Sequence, residues 1–154
     1  MADSNGKMVG CAACGAINRV PASRLSADGK CGRCGKALHD GEPAVLTMEN
    51  FAALAERSDV PLLVDFWAPW CGPCRQMAPA FSAATAQLEP ALRLAKLNTE
   101  AEQGLAQRFG IQSIPTLVIL HKSRVIARQS GAMPTTAIVA WAQKALSHRG
   151  VTNL

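Results

Sequence analysis

Two cysteines three positions apart, Cys71 and Cys74, lie in the run Trp70-Cys71-Gly72-Pro73-Cys74. Thiols at that spacing can close a small disulfide ring or stand as a dithiol, which is the chemistry of disulfide exchange. Val60 to Trp67, just before them, is nearly continuous apolar sequence, while Met77, Phe81, Thr85 and Leu88 after them recur at helical spacing. The pair therefore falls on a strand-to-helix turn, with Cys71 where the first unpaired helical N–H groups point outward. That end of a helix favours negative charge, so a Cys71 thiolate is stabilised and nucleophilic. Cys74, one turn further in, can attack a mixed disulfide held on Cys71. A bare C-x-x-C is also half of a zinc site, so spacing alone leaves metal binding open.

A second constellation fits metal better. Cys11-Ala-Ala-Cys14-Gly15 and Cys31-Gly-Arg-Cys34-Gly35 are an internal repeat with sixteen residues between the pairs, a zinc-ribbon spacing. Each pair ends in a glycine, which permits the tight turn that aims two sulfurs at one metal. Four thiolates make a closed tetrahedral Zn²⁺ site with no position left for substrate. The segment between the pairs, with Val20-Pro21, Arg24-Leu25 and Asp28-Gly29, reads as a short hairpin too poor in apolar residues to fold without metal. Disulfides or a second redox pair are the competing reading. His39 lies just beyond the second pair and reads as an exposed linker residue.

The chain has 154 residues, 49% hydrophobic and 18% charged, as for a globular protein with one well-cored domain and a small appendage. The net charge of +5 is spread thinly, with six basic and four acidic residues before position 44 and ten against seven after it. No Lys/Arg run supports nucleic-acid binding. Met1 to Gly10 has no apolar segment of signal-peptide type, and no stretch approaches the ~20 apolar residues of a membrane span. The expectation is a cytoplasmic protein. There thiols stay reduced, so six cysteines read as metal ligands and redox catalysts.

The elements that must position these groups follow in order. Residues 1–10 read as a loose end and Gly35 to Pro43 as a linker, dividing the chain into 1–42 and 43–154. Pro43 to Leu46 reads as a short strand. A helix capped by Thr47 and striped by Phe51, Leu54 and Ala55 follows. Val60 to Trp67 is a strand covered on both faces. The helix starting at the cysteines should be kinked by Pro79. Next come a strand over Ala91–Leu97, a helix with Ala101, Leu105 and Phe109, strands over Thr116–Leu120 and Val125–Ser130, and a last helix opened by Pro134. That order, βαβαβαββα, predicts an α/β fold with a central mixed sheet and helices on both faces.

The string Val64-Asp65-Phe66-Trp67-Ala68-Pro69-Trp70-Cys71-Gly72-Pro73-Cys74 resembles the thioredoxin family, and the resemblance extends from about residue 44 to the C-terminus. With the four-cysteine ribbon in front, the chain is similar to the zinc-containing bacterial members of that family. The resemblance implies the thioredoxin fold, and a protein-disulfide reductase using Cys71 and Cys74 and recharged by an NADPH-dependent thioredoxin reductase. It further implies one Zn²⁺ on Cys11, Cys14, Cys31 and Cys34, no organic cofactor, protein substrates and a monomer.

Other residues acquire expected roles beside this. Asp65 interrupts an apolar strand, so burial should raise its pKa. By resemblance it is the buried acid that takes up or relays the proton of Cys74, with Lys96 approaching it. Pro115, which cannot donate to a sheet ladder, should stand at a strand's start. By resemblance the Ile114-Pro115 bond is the family's cis-proline, beside which an extended substrate segment pairs. Gly131 matches another loop of the substrate groove, and Trp70, Gly72 and Pro73 would form its rim. Trp67 and Trp141 are assigned to packing, and His121 and His148 to no role. The turn Lys122-Ser123-Arg124 lacks the glycine expected near Ser123, which bears on the outer edge of the groove. The alternative function is a zinc-dependent binding module or redox sensor. Retention of Asp65, Pro73 and Pro115 favours catalysis.

Overall fold

The computed structural model describes residues 6–21 and 29–148. Two short strands, β1 (Lys7–Gly10) and β2 (Ile17–Val20), pair antiparallel at the amino-terminal end. They flank the first cysteine pair, because Gly15, at φ 80°, reverses the chain within the knuckle itself. Lys7–Gly10, expected to be loose, is ordered as β1 for the same reason. The hairpin expected between the two pairs, around Arg24-Leu25 and Asp28-Gly29, lies mostly outside the described residues.

The remaining strands form one sheet: β3 (Ala44–Val45), β4 (Leu62–Trp67), β5 (Arg93–Asn98), β6 (Thr116–His121) and β7 (Arg124–Ser130). Their order is β3-β5-β4-β6-β7. β3, β5 and β4 run parallel, whereas β6 is antiparallel to β4 and to β7. Helices α1 (Gly72–Leu88) and α3 (Thr135–His148) cover one face. There Met77, Phe81 and Leu88 meet Leu63, Leu94, Leu117, Ile138 and Leu146. The other face carries a π-helical turn (Ala52–Glu56) and α2 (Gln103–Arg108), with Phe51, Leu54, Leu105 and Phe109 packed on Val64, Phe66 and Val118. Phe66 and Phe81 are fully buried on opposite faces, each stabilising by roughly 2–3 kcal/mol. The two-faced apolar run at Val60–Trp67 needs this arrangement.

Two details depart from expectation. The turn after β3 is π-helical, and Thr47 does not cap it. The side chain of Asn50 instead accepts from Thr47 N–H at 2.8 Å and donates to the carbonyls of Val45 and Ala12. His39 is half-buried, not an exposed linker residue, and burial pushes its pKa down to about 4, with Arg93 adding to the effect.

The ribbon docks on the sheet at the start of β4. Val60 joins Val9, Cys11, Val20, Cys31 and Leu38 in one apolar cluster. Asp59 and Met8 exchange hydrogen bonds, Met8 N–H to Asp59 Oδ2 at 2.7 Å and Asp59 N–H to Met8 O at 2.8 Å. Gly10 lies so close to the π-helical turn that a Cβ there would stand 2.1 Å from Ala53 O.

Candidate functional site

Cys71 is the N-cap of α1, with extended backbone and Pro73 in the first turn. Its sulfur accepts from Cys74 N–H at 3.2 Å, and the two cysteines are joined as a disulfide, the oxidised form of the pair. Both are buried, but Cys71 lines an open groove and Cys74 does not. The groove, about 560 Å³, is walled by Trp70, Gly72 and Pro73 on one side and by Ile111–Ile114 on the other, with Thr99 and Ala106 completing it. Trp70 is 66% exposed, and its Nε1–H donates to Glu100 Oε2. Pro115 is buried at the head of β6 after a cis Ile114–Pro115 bond, and Ile114 O lies 3.8 Å from Cys71 Sγ. Gly131 (φ 99°) does not line the groove; its N–H holds Pro115 O at 2.9 Å.

Asp65 sits mid-β4, paired between Lys96 and Leu117. Two residues from Leu63, it shares the sheet face that α1 covers. Both carboxylate oxygens are buried without a hydrogen-bond partner. Burial pushes the Asp65 pKa up to about 7, and the charge of Lys96 only partly offsets this. Lys96 is half-buried, with its Nζ 4.6 Å from the centre of the Trp67 ring. Trp67 thus has a charged neighbour, while Trp141 packs against the α1–α3 cluster.

Sequence reasoning missed Thr99, Glu100, Ala106, Ile111, Gln112 and Ser113. None carries a chemical signature, and only proximity to Cys71 or Trp70 marks them. The missing turn glycine does not bear on the groove. Lys122 and Ser123 adopt positive φ without a glycine (52° and 71°), and their turn follows His121, at the end of β6 away from Pro115.

The second cluster assembles as its spacing suggests. The ligand atoms of Cys11, Cys14, Cys31 and Cys34 lie within 4.8 Å of one another, with Cys11–Cys34 and Cys14–Cys31 sulfurs at 3.7 and 3.5 Å. A tetrahedron of Zn–S bonds has sulfurs roughly 3.8 Å apart, so the four thiols fit such an ion. The knuckles match: Cys11 and Cys31 N–H donate to Ala16 and Lys36 carbonyls, and Gly15 and Gly35 N–H return to the cysteine carbonyls. The Cys31 thiol is lowered to about 6, chiefly by the Cys34 N–H and then by Asn18, whereas its partner Cys14 is raised to about 11, the Ala16 N–H being outweighed by burial and the neighbouring thiols. His39 is not among the four ligands.

Comparison with known proteins agrees with this geometry. Residues 42–144 match the family model described as Thioredoxin, and residues 10–36 the one described as Thioredoxin 2, N-terminal. The chain belongs to the thioredoxin family. Thioredoxin C-3 of Corynebacterium nephridii is 44% identical over 139 residues, covering 90% of this chain and 95% of that protein. A putative thioredoxin 2 of Streptomyces coelicolor is 45% identical over 93 residues, covering 60% and 68%. The thioredoxin of Haemophilus influenzae is 38% identical over 89 residues, covering 58% and 83%. As a thioredoxin with its C-x-x-C disulfide in place, the protein is a thiol–disulfide oxidoreductase that reduces protein disulfides, preceded by a zinc-ribbon domain. The family reduces disulfide substrates and is itself reduced by thioredoxin reductase. Among the described residues no helix is long and apolar enough to cross a membrane.

Proposed function

We propose that Cys71 is the attacking thiol and Cys74 the resolving one, and the observation that carries this is that only Cys71 lines the groove. In the reduced protein the Cys71 thiolate attacks one substrate sulfur, forming a mixed disulfide and expelling the other sulfur as a thiolate that takes a proton. Asp65, ionised, accepts the proton of Cys74. The Cys74 thiolate then attacks Cys71 Sγ, closing the internal disulfide and releasing the second substrate thiolate. Two electrons pass from the cysteine pair to the substrate bond. Lys96 biases Asp65 toward its charged form. Trp70, Gly72, Pro73 and Ile114 bound the substrate segment, Pro115 keeps the adjacent backbone free for strand-like pairing, and Gly131 holds Pro115.

Residues 1–42 form the ribbon and linker and 43–154 the catalytic domain. Cys11, Cys14, Cys31 and Cys34 hold one Zn²⁺, whose chemistry is that of a structural cross-link. The protein works in the cytoplasm as a monomer, recharged by an NADPH-dependent reductase. No organic cofactor, nucleic acid or membrane takes part.

The test is trapping. Cys74→Ser should stop turnover and accumulate substrate proteins on Cys71, whereas Cys71→Ser should lose turnover and trapping together. Equal trapping by both variants overturns the assignment.

A further inference from the structure

The second wall of the groove, Ile111–Ile114, is a loop between α2 and β6. α2 has only six residues; Phe109, Gly110 and Ile111 N–H close its last carbonyls, Leu105, Gln107 and Ala106, but the chain then leaves the helix, and the carbonyls of Phe109 and Gly110 lie beyond any turn. β7 supplies partners for these two. Arg128 Nη2 donates to Phe109 O, and Nη1 to Gly110 O at 3.4 Å. Two residues on, and on the same strand face, Ser130 closes a ring of hydroxyls. Thr116 Oγ1 donates to Ser113 O at 2.6 Å, so its oxygen accepts from Ser130 at 3.1 Å, and Ser113 Oγ donates to Ser130 Oγ at 3.5 Å. The loop is thus clamped just before its first groove residue and again at Ser113. A register shift leaves Ile126 unpaired on β7, just before these residues. Such bulges re-aim the side chains that follow.

We propose that Arg128 and Ser130 are positioning residues that hold the 111–114 wall where a protein substrate must lie across Cys71. They touch neither the reacting sulfurs nor the substrate. A small disulfide needs only Cys71 and makes little use of the wall. A polypeptide substrate needs both sides of the groove. The proposal rests on the groove reading above.

The experiment measures two reactions of the full-length protein. One is steady-state insulin reduction with dithiothreitol as reductant; the other is single-turnover reaction of the reduced protein with a small aromatic disulfide. For Arg128→Ala the KM for insulin should rise at least about tenfold, as expected for losing a charge-assisted bond, with kcat and the small-disulfide rate held within about twofold. Arg128→Lys should regain part of the loss, and Ser130→Ala should shift KM in the same direction. Equal losses on both substrates, or an unchanged insulin KM, overturn the proposal. If Arg128→Ala does not fold by circular dichroism, Arg128→Lys and Ser130→Ala decide by the same criteria. A wild-type protein inactive on both substrates would sink the functional reading and this proposal with it. Wild-type activity with unaltered variants overturns this proposal alone.

Discussion

Asp65 offers a test of proton management at the level of one residue. Its folded-state pKa of about 7 lies above the ordinary 3.8 because the carboxylate is buried without partners. Below about pH 4 both folded and unfolded chains hold the proton and there is no penalty. Between about pH 4 and 7 the unfolded chain ionises while the folded one does not, so stability falls as pH rises and levels off above 7. Roughly three pKa units correspond to at most about 4 kcal/mol. Asp65→Asn should therefore be more stable than the wild type in urea denaturation at pH 8, with the difference vanishing near pH 3.5; a gain equal at both pH values would contradict this. The same variant should reduce substrate up to ~10²-fold more slowly and lose the rise in rate through pH 7 that follows ionisation of the base. An unaltered pH–rate profile would leave Asp65 a structural carboxylate.

Among the elements, the β6–β7 turn is the least comfortable. Lys122 and Ser123 both take left-handed backbone, which costs a non-glycine residue roughly 1–2 kcal/mol. The turn is held in place by Ser123 N–H to Ala55 O at 2.8 Å and by Lys122 Nζ to Asp59 Oδ1 at 3.0 Å. The Ser123 hydroxyl is buried and unpartnered. Ser123→Gly removes the strain and the orphan hydroxyl, against roughly 0.4–1 kcal/mol of added chain entropy in the unfolded state. A net gain of about 1 kcal/mol, or roughly 3 °C in melting temperature, is expected. Disulfide-reduction rates should not change, because the turn is at the far end of β6 from Pro115. A lower melting temperature would show that Ser123 packs better than its angles suggest.

For the whole molecule, the ribbon and the reactive disulfide lie at opposite ends of β4, and among the described residues none of the ribbon lines the groove. A chain beginning at Pro43 keeps Asp65, Cys71, Cys74 and Pro115 and should fold and reduce a generic disulfide. It loses the cover over Val60, the partner of Asp59 N–H and one of the two partners of Asn50 Nδ2, so it should be less stable by roughly 3 kcal/mol. Full-length protein should contain one zinc per chain by elemental analysis, and stripping it with a chelator should cost stability without abolishing reduction. A shortened chain that folds yet is inactive would place the ribbon in the active site.

Covalent spacing and hydrophobic period were legible from the residues alone. The Cys71–Cys74 pair on a strand-to-helix turn, the four-cysteine cluster, the buried Asp65 and the strand and helix order all rest on patterns within a few residues of one another. Those patterns survive folding because they are local. Tertiary structure alone decided the π-helical turn, the reach of Lys96 to Trp67 and the grip of Met8 on Asp59. It also decided the groove wall at Thr99, Ala106 and Ile111–Ser113, and the clamp of Arg128 and Ser130 upon it. These residues are ordinary in type and far apart in the chain. Their meaning arises only when β7 is laid beside β6 and the ribbon against β4, because hydrogen bonds between distant segments leave no mark in the local order of residues.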